Sequence, residues 1–202
     1  MNIEAPVQRV QWAIDTVHSE ITFKVRHLMI AHVKGSFKTF DASIHTTGND
    51  FTTAEIDVWI DTSSISTGNA DRDAHLKGTD FFDAEHHKQI TFVCDDVEPA
   101  DDEGNHEVWG NLSMKGVTRK IKLNVQYGGI VQDPWGNERT GFSVTGKINR
   151  SEWGLTWNKG IEAGGLMVSE EVSITCELEL VKTAGKDLAP VAEPVTLNKS
   201  SL

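Results

Sequence analysis

The chain has 202 residues, enough for one sizeable domain, and its content of 38% hydrophobic and 24% charged residues is typical of a globular protein. A formal charge of -11 disfavours binding to nucleic acid or to anionic lipid headgroups, because like charges repel. No stretch approaches the roughly 18 consecutive apolar residues of a membrane-spanning helix, so the sequence does not predict an integral membrane protein.

The first residues lack the basic start and the apolar run of a secretory signal, which predicts a cytoplasmic location. A chain whose signal had been removed and replaced by Met1 would look the same. A periplasmic location is therefore the alternative.

Apolar residues alternate with polar ones in segment after segment, which predicts half-buried strands. In Glu20–His27, the side chains of Ile21, Phe23 and Val25 share one face. The same pattern predicts further inward sets: Ile56, Val58, Ile60; Ile90, Phe92, Cys94; Val108, Leu112, Met114; Ile121, Leu123, Val125; Phe142, Val144, Ile148; and Val172, Ile174, Cys176, Leu178, Leu180. Short polar turns separate these segments, so we expect an antiparallel meander.

One short, polar helix interrupts the strands, and we expect it to lie over one end of the sheet. Asn69 can cap its start, Gly78 can end it, and the acidic Asp71 and Asp73 fall in the first turn, where the helix dipole favours them. The alternation stops after Leu180. We therefore predict one domain over residues 1–181 and a flexible tail over residues 182–202.

About eight alternating strands with little helix can bury their apolar faces only by closing into a barrel or by stacking two sheets. A barrel of this size can enclose a ligand, whereas a sandwich packs its two faces together. The predicted inward set mixes aromatic side chains with small or flexible residues, namely Phe23, Phe37 and Phe92 with Gly35, Gly110 and Met114. That mixture permits a cavity inside an antiparallel barrel without proving one.

Several ordered motifs carry a resemblance to a known family. The segment from Trp12 to His27 closely resembles the opening of the YceI-like family. Further motifs of that family are matched by Val33–Phe37, Asp73–Leu76, Phe81–Asp83, Gly110–Arg119 and Ile148–Gly154. The resemblance runs from about Trp12 to Leu180, with Trp153 at a position where the family commonly has Phe.

The resemblance implies a lipocalin-like antiparallel barrel that binds polyisoprenoids or similar long-chain lipids and amides, often as a homodimer. We therefore expect non-catalytic binding of a polyisoprenoid, isoprenoid quinone, fatty acid or amide for transport, storage or sequestration, with a bound lipid and no other cofactor. Together with the alternation, it selects these ligand-binding candidates: Phe23, Val25, His27, Phe37, Ile56, Val58, Ile60, Phe92, Leu112, Met114, Phe142, Trp153, Trp157 and Leu166.

The residues that can do chemistry favour binding over catalysis. Eight histidines form no strong ligand pattern, so no metal site is predicted. His27 is in phase with Val25 and is expected inside alone, either bonding a ligand's head or as a core histidine with satisfied hydrogen bonds. Asp15 and His18 are expected to form a strand-end hydrogen bond. The alternative is a lipocalin-like enzyme that acts on a lipid through His27 or through the Asp15–His18 pair.

Four further features are interpreted as follows. Trp153 and Trp157 either flank a hydrocarbon chain or plug a barrel end. The basic run from Lys115 to Lys122 is either a solvated strand face or, with Arg72, a partner for a phosphate head. Cys94 and Cys176 are expected as buried free thiols rather than a disulfide. The segment 162–166 is expected as a loop at a barrel mouth.

Overall fold

The alternating segments are strands in the computed structural model, which describes residues 8–101, 103–160 and 167–183. In this part of the chain there are eleven strands: β1 (Arg9–Ile14), β2 (Glu20–His27), β3 (Ala31–Phe37), β4 (Phe40–Thr47), β5 (Asp50–Asp61), β6 (Ile65–Ser66), β7 (Gln89–Pro99), β8 (Asn105–Met114), β9 (Val117–Gln132), β10 (Glu138–Asn149) and β11 (Val168–Thr183). The single α-helix of these residues, α1 (Ala70–Lys77), lies between β6 and β7. Short 3₁₀ helices cover Thr62–Ser64 and Arg150–Trp153.

The strands close into a ring of eight positions. β5, β7, β8, β9, β10 and β11 follow one another by antiparallel pairing. β1 and β2 share the free edge of β11, with Ile14 opposite Leu180 and Ile21 opposite Cys176. β4 then lies beside β1, and β3 beside β2. β1 and β2 together fill one strand position beside β11, and β4 and β3 together fill the next. The sheet therefore closes on itself, which confirms the barrel and rejects the sandwich.

The registers define two ends of the barrel. The upper end holds the β2–β3 turn, the segment from Thr62 to Lys88 with α1, the β8–β9 turn, and the chain from Arg150 towards β11. The lower end holds the β4–β5 and β9–β10 turns.

The helix has the predicted bounds and caps. The Asn69 side chain accepts a hydrogen bond from the backbone N–H of Arg72, and Gly78 ends the helix. Asp73 accepts hydrogen bonds from the Thr67 backbone N–H at 2.8 Å and from its hydroxyl at 2.5 Å. These contacts fix α1 at the upper end of the barrel, where the sequence places it over the sheet.

The predicted inward side chains lie inside. Ile90, Phe92, Val108 and Cys176 are buried, and the others of the set line or pack against the interior. Side chains alternate between the two faces of a strand, so residues two positions apart share a face, which explains why the whole set points inward.

The C-terminal strand is longer than the alternation predicts. β11 continues through Thr183, with Lys182 opposite Trp12 and Thr183 opposite Gln11. The backbone pairing with β1 continues where the apolar pattern has stopped, and the Lys182 ammonium bonds Glu138 at 2.6 Å. The first two residues of the predicted tail are therefore strand. Residues 184–202 and the predicted loop 162–166 lie outside the described residues.

Candidate functional site

The barrel interior contains a cavity of about 620 Å³ lined almost entirely by apolar side chains. Pockets for small hydrophobic molecules commonly have volumes of about 300–1,000 Å³, so this space fits a ligand of that size. Twelve of the predicted ligand-binding residues lie on its wall: Phe23, Val25, His27, Phe37, Ile56, Val58, Ile60, Phe92, Leu112, Met114, Phe142 and Trp157.

The other two predicted residues do not contribute to the described wall. Trp153 is 1% exposed and packs in the core, where its indole N–H donates a 3.0 Å hydrogen bond to the backbone oxygen of Leu112. Trp153 is therefore a core residue outside the cavity wall, whereas Trp157 faces the cavity. Leu166 lies outside the described residues.

Two glycines shape the wall. A Cβ atom on Gly35 would lie 2.3 Å from Cζ of Phe23, and one on Gly110 would lie 2.4 Å from Cζ of Phe92. Each aromatic ring thus occupies space that a side chain at the glycine would need. The rings are held against the wall, and the centre of the barrel stays open.

A cluster of aromatic residues closes the lower end. Trp12 is fully buried, and its ring centroid lies 5.0 Å from that of Phe51, which lies 5.0 Å from that of Phe142. The Trp12 indole N–H donates a 2.9 Å hydrogen bond to the Thr46 hydroxyl. Phe51 lines the cavity, and sequence analysis missed it because it lies at the start of β5, before the clear alternation begins.

The upper end is polar and reaches the surface. Asp71, Arg72 and His75 of α1 are exposed and also line the cavity. Arg72 donates hydrogen bonds from Nε to the Thr67 hydroxyl at 2.7 Å and from Nη2 to the Thr67 carbonyl at 3.0 Å. The His75 ring meets Trp157 edge to face, with 4.8 Å between centroids. The polar face of α1 therefore forms part of the rim.

A buried cation lies on the upper wall. Arg150 is 5% exposed, and its guanidinium donates hydrogen bonds to the carbonyls of Ser169 at 2.9 Å, Trp157 at 3.0 Å and Leu155. Among the described residues, no carboxylate lies within salt-bridge distance of it. Burial lowers the pKa of Arg150. Its location inside the resembling segment Ile148–Gly154 is the only sequence signal that marks it.

Comparison with known proteins places this barrel in a family. A model of the YceI-like domain matches residues 12–180. A UPF0312 protein of Staphylococcus epidermidis is 39% identical over 166 residues, which cover 82% of this chain and 94% of that protein. The chain belongs to the YceI-like family.

Solved structures of YceI-like proteins share the architecture. The YceI protein of Campylobacter jejuni is 32% identical, with a TM-score of 0.68 over 79% of this chain and 90% of that one. A polyisoprenoid-binding domain from Saccharophagus degradans is 19% identical, with a TM-score of 0.62 over 85% of this chain and 98% of that one. Within the described residues, no helix combines the length and the apolar character needed to cross a membrane.

The histidines of this YceI-like barrel are distributed differently from the prediction. His27 lines the cavity, but His75 at the upper end and His106 at the lower end line it too, so His27 is not alone. His27 is half-buried, and its ring makes no hydrogen bond to any described residue, so it is not the satisfied core histidine of the alternative. His106 Nδ1 lies 3.0 Å from the carbonyl of Gly104. Strand phase predicts neither of the two missed histidines, because His75 reaches the cavity from helix α1 and His106 lies at the start of β8, before the alternation from Val108.

The Asp15–His18 pair lies away from the cavity. Asp15 Oδ2 lies 2.9 Å from His18 Nδ1, and Oδ1 accepts a hydrogen bond from the Val17 N–H at 3.1 Å. This is the predicted strand-end arrangement between β1 and β2. Neither residue is part of the cavity wall, so the pair is not placed to act on a ligand there.

The basic run forms part of a solvated strand face, and the two cysteines form no disulfide. Lys120 and Lys122 pair with Asp95 and Glu107 on the outer face of the barrel, at 3.3 and 2.5 Å. Both cysteines are free thiols, but only Cys176 is buried as predicted, whereas Cys94 is half-buried. Cys176 lies on the cavity wall, and burial raises its pKa to about 12, so it is a thiol rather than a nucleophilic thiolate at neutral pH.

One cluster outside the cavity resembles a metal site. Asp15, His18 and Glu179 bring potential ligand atoms within 4.8 Å of one another. Arg139 Nη1, however, donates to Asp15 at 2.8 Å and to Glu179 at 2.5 Å, while its Nε donates to Asp133 at 2.8 Å. A guanidinium already neutralises these carboxylates, so the cluster is an ion-pair network that ties β1, β10 and β11 together.

This network predicts a pH-dependent stability. His18 and then Arg139 hold the pKa of Asp15 well below its usual range, and Arg139 does the same for Asp133. Carboxylates with a lowered folded-state pKa stabilise the fold above their unfolded pKa of about 3.9, and this contribution is lost as the pH falls. We expect the variant Arg139→Met to melt below the wild type at pH 7, with the difference shrinking between pH 4 and pH 2.

The matched control is Arg9→Met. Arg9 pairs with Glu55 at a site where both side chains are more than 60% exposed, and such pairs contribute little. Thermal unfolding followed by circular dichroism measures both variants. A constant difference between wild type and Arg139→Met from pH 7 to pH 2 would contradict the prediction.

Proposed function

We propose that this protein binds a long-chain hydrophobic molecule, such as a polyisoprenoid, an isoprenoid quinone, a fatty acid or an amide, without changing it chemically. The single observation that carries the proposal is the apolar cavity of about 620 Å³ enclosed by the barrel. Such a site suits transport, storage or sequestration of the ligand.

The energetics favour a long hydrocarbon chain. Each methylene moved from water into an apolar site contributes about 0.8 kcal/mol. A tail of about a dozen carbons therefore supplies roughly 10 kcal/mol before the cost of association is subtracted. Such burial needs no directional contact between protein and tail, and the almost entirely apolar cavity wall fits this requirement.

The distribution of polar groups gives the ligand a direction. Arg72, His75 and Arg150 line the upper end, where the cavity reaches the surface, whereas the lower end is closed by Trp12 and its aromatic neighbours. The lower end of the described wall contributes one such side chain, His106. A polar head is therefore best accommodated at the upper end, with the tail pointing down.

The same groups support binding rather than catalysis. A hydrolytic mechanism needs a nucleophile, a base and an orienting acid in contact. The thiol of Cys176 is kept protonated, and the His75 ring contacts Asp80 at 3.0 Å at the exposed rim. Within the described wall, no hydroxyl or thiol is hydrogen-bonded to a histidine, and we propose that the bound lipid is the only non-protein group needed.

The relatives are consistent with this function. The Saccharophagus degradans structure that shares this fold is a polyisoprenoid-binding domain. At 19% identity, the likeness to that domain shows only the shared barrel fold. The support for a hydrophobic ligand comes from the apolar cavity wall of this chain.

Native mass spectrometry of the full chain, purified without detergent, tests the proposal. We expect a mass increment from a co-purified lipid, released and identified after organic extraction. For added fatty acids and prenols, affinity should rise by about fourfold per methylene until the cavity is full. An empty chain that also binds no added lipid, or affinities independent of tail length, would contradict the proposal.

A further inference from the structure

The β2–β3 turn exposes apolar side chains that nothing in the described structure covers. Met29 is 54% exposed and Ile30 is 85% exposed at the tip of this hairpin. Leu28 and Met29 adopt positive φ angles of 49° and 62°, which non-glycine residues rarely do. The Leu28 N–H donates a 2.8 Å hydrogen bond to the Met167 carbonyl, which fixes the tip in this conformation. The chain thus holds two large apolar side chains in solvent at the cost of backbone strain.

The outer face of the same hairpin is basic. Lys24 lies directly opposite Lys34, and Arg26 lies directly opposite His32. Like charges at facing positions of a β-ladder destabilise it. Lys24, Arg26 and Lys34 are exposed, and none has a carboxylate of a described residue within 4.0 Å.

The neighbouring strand makes no salt bridge to these cations. Ser173 of β11 faces Lys24 across the β2–β11 pair. Of the two glutamates at the start of β11, Glu171 pairs with Lys147 at 3.0 Å, and Glu170 forms no salt bridge with a described residue. A strip of unpaired cations therefore flanks an apolar tip on a chain whose formal charge is -11.

The hairpin stands at the open end of the cavity. His27 and Val33, on either side of the tip, line the cavity, as does Met167, which bonds the tip. The exposed residues of the cavity wall, on α1, lie at this same end. A surface that touches the tip therefore also meets the entrance.

We propose that the β2–β3 hairpin docks this protein onto the surface of an anionic phospholipid bilayer. Met29 and Ile30 enter the region of the headgroups, and Lys24, Arg26 and Lys34 face the lipid phosphates. An apolar tip beside basic residues is the pattern of peripheral membrane contacts. The net negative charge of the chain opposes long-range attraction to the bilayer, but salt screens it beyond a Debye length of about 8 Å. At contact, the local cations of the hairpin therefore dominate the electrostatic interaction with the lipid phosphates.

Docking in this orientation turns the cavity entrance towards the bilayer. A lipid can then pass between membrane and barrel with little exposure of its tail to water. The inference goes beyond the proposed binding function, and its test measures membrane association rather than occupancy of the cavity.

Co-sedimentation of the full chain with vesicles tests the proposal. Vesicles of phosphatidylcholine alone are compared with vesicles containing 30% phosphatidylglycerol as the probe. We expect binding to the anionic vesicles only, weakened by added salt. The variant Met29→Asn with Ile30→Ser, in which asparagine tolerates the left-handed backbone, should lower the bound fraction at least tenfold, and Lys24→Gln with Lys34→Gln severalfold.

The chain offers matched controls at other places on the barrel. Val131→Ser with Trp135→Ser removes two exposed apolar residues near the β9–β10 turn at the lower end, and Lys120→Gln with Lys122→Gln removes two cations from β9. Both should bind vesicles as the wild type does. Native mass spectrometry should show unchanged cavity occupancy in the hairpin variants.

Three results would overturn the proposal: no binding to either vesicle, equal binding to both, or loss of binding in the Trp135 variant while the hairpin variants still bind. An empty cavity in the wild type with normal vesicle binding would instead contradict the proposed function and leave the docking surface standing.

Discussion

Filling the cavity with two tryptophans should abolish ligand binding while leaving a folded barrel. Val58 on β5 and Val125 on β9 both line the cavity, so Val58→Trp with Val125→Trp places two indoles in the open space. The wall is a closed ring of hydrogen-bonded strands, so it cannot widen much without breaking backbone hydrogen bonds. We expect the affinity for any long-chain ligand to fall at least tenfold, measured by lipid titration and by the loss of the native mass increment.

Stability distinguishes a cavity from a packed core at the same two positions. In a filled core each enlarged side chain costs about 1–3 kcal/mol. In a void the indoles gain burial, so the free energy of unfolding should change by less than that. Urea unfolding of the double variant measures the difference.

The control for the cavity variant uses the adjacent outward residues. Asp57 and Asn124 are exposed, and Asp57→Trp with Asn124→Trp adds the same side chains to the outside of the same strands. This control should bind lipid as the wild type does. If the inward variant binds equally well, the barrel interior is not the binding site.

Strand periodicity accounts for most of what the sequence predicts. Side chains two residues apart must share a face, so Ile56, Val58 and Ile60 are placed on the wall by geometry alone. The glycine and aromatic residues of the inward set permit a cavity without proving one, and the structure places the Phe23 and Phe92 rings against Gly35 and Gly110.

The residues that the sequence does not place depend on contacts between distant segments. The indole N–H of Trp153 meets a carbonyl 41 positions away, and no local pattern records that partner. Arg150 is buried because carbonyls from residues 155, 157 and 169 converge on it. The helix α1 contributes His75 to the rim although it buries none of its residues, so no apolar stripe marks its inward side.

The resemblance and the periodicity answer different questions. Motifs from Trp12 to Leu180 identify the family, and the family model covers the same residues. They do not reveal the cross-strand pairing of Lys24 with Lys34, which needs the register of β2 and β3. The net charge of the whole chain predicts repulsion from anionic lipids. The register of β2 and β3 shows that basic side chains are nevertheless clustered on one hairpin.

Removing the Trp12 side chain should cost more stability than any other single truncation considered for this barrel. Trp12 is 0% exposed, packs with Val10, Ile44 and Leu180, and bonds the Thr46 hydroxyl. Truncation of a buried tryptophan to alanine typically costs about 3–5 kcal/mol. Because β1 joins β4 to β11, the loss falls on the seam that closes the ring. For a chain of this size each kcal/mol lowers the Tm by about 2–4 °C, so calorimetry should resolve the effect clearly.

Two comparisons set the scale of the Trp12 effect. Trp12→Phe keeps an aromatic ring against Phe51 but removes the donor to Thr46 and part of the buried indole volume, so we expect a loss of stability smaller than that of Trp12→Ala; Thr46 still donates to the Gly48 carbonyl. Trp135→Ala removes an indole that is 81% exposed and should change stability by less than about 0.5 kcal/mol. Equal losses for Trp12→Ala and Trp135→Ala would mean that the lower end is not sealed by Trp12. A barrel open at both ends would then leave the tail of a bound lipid in contact with water.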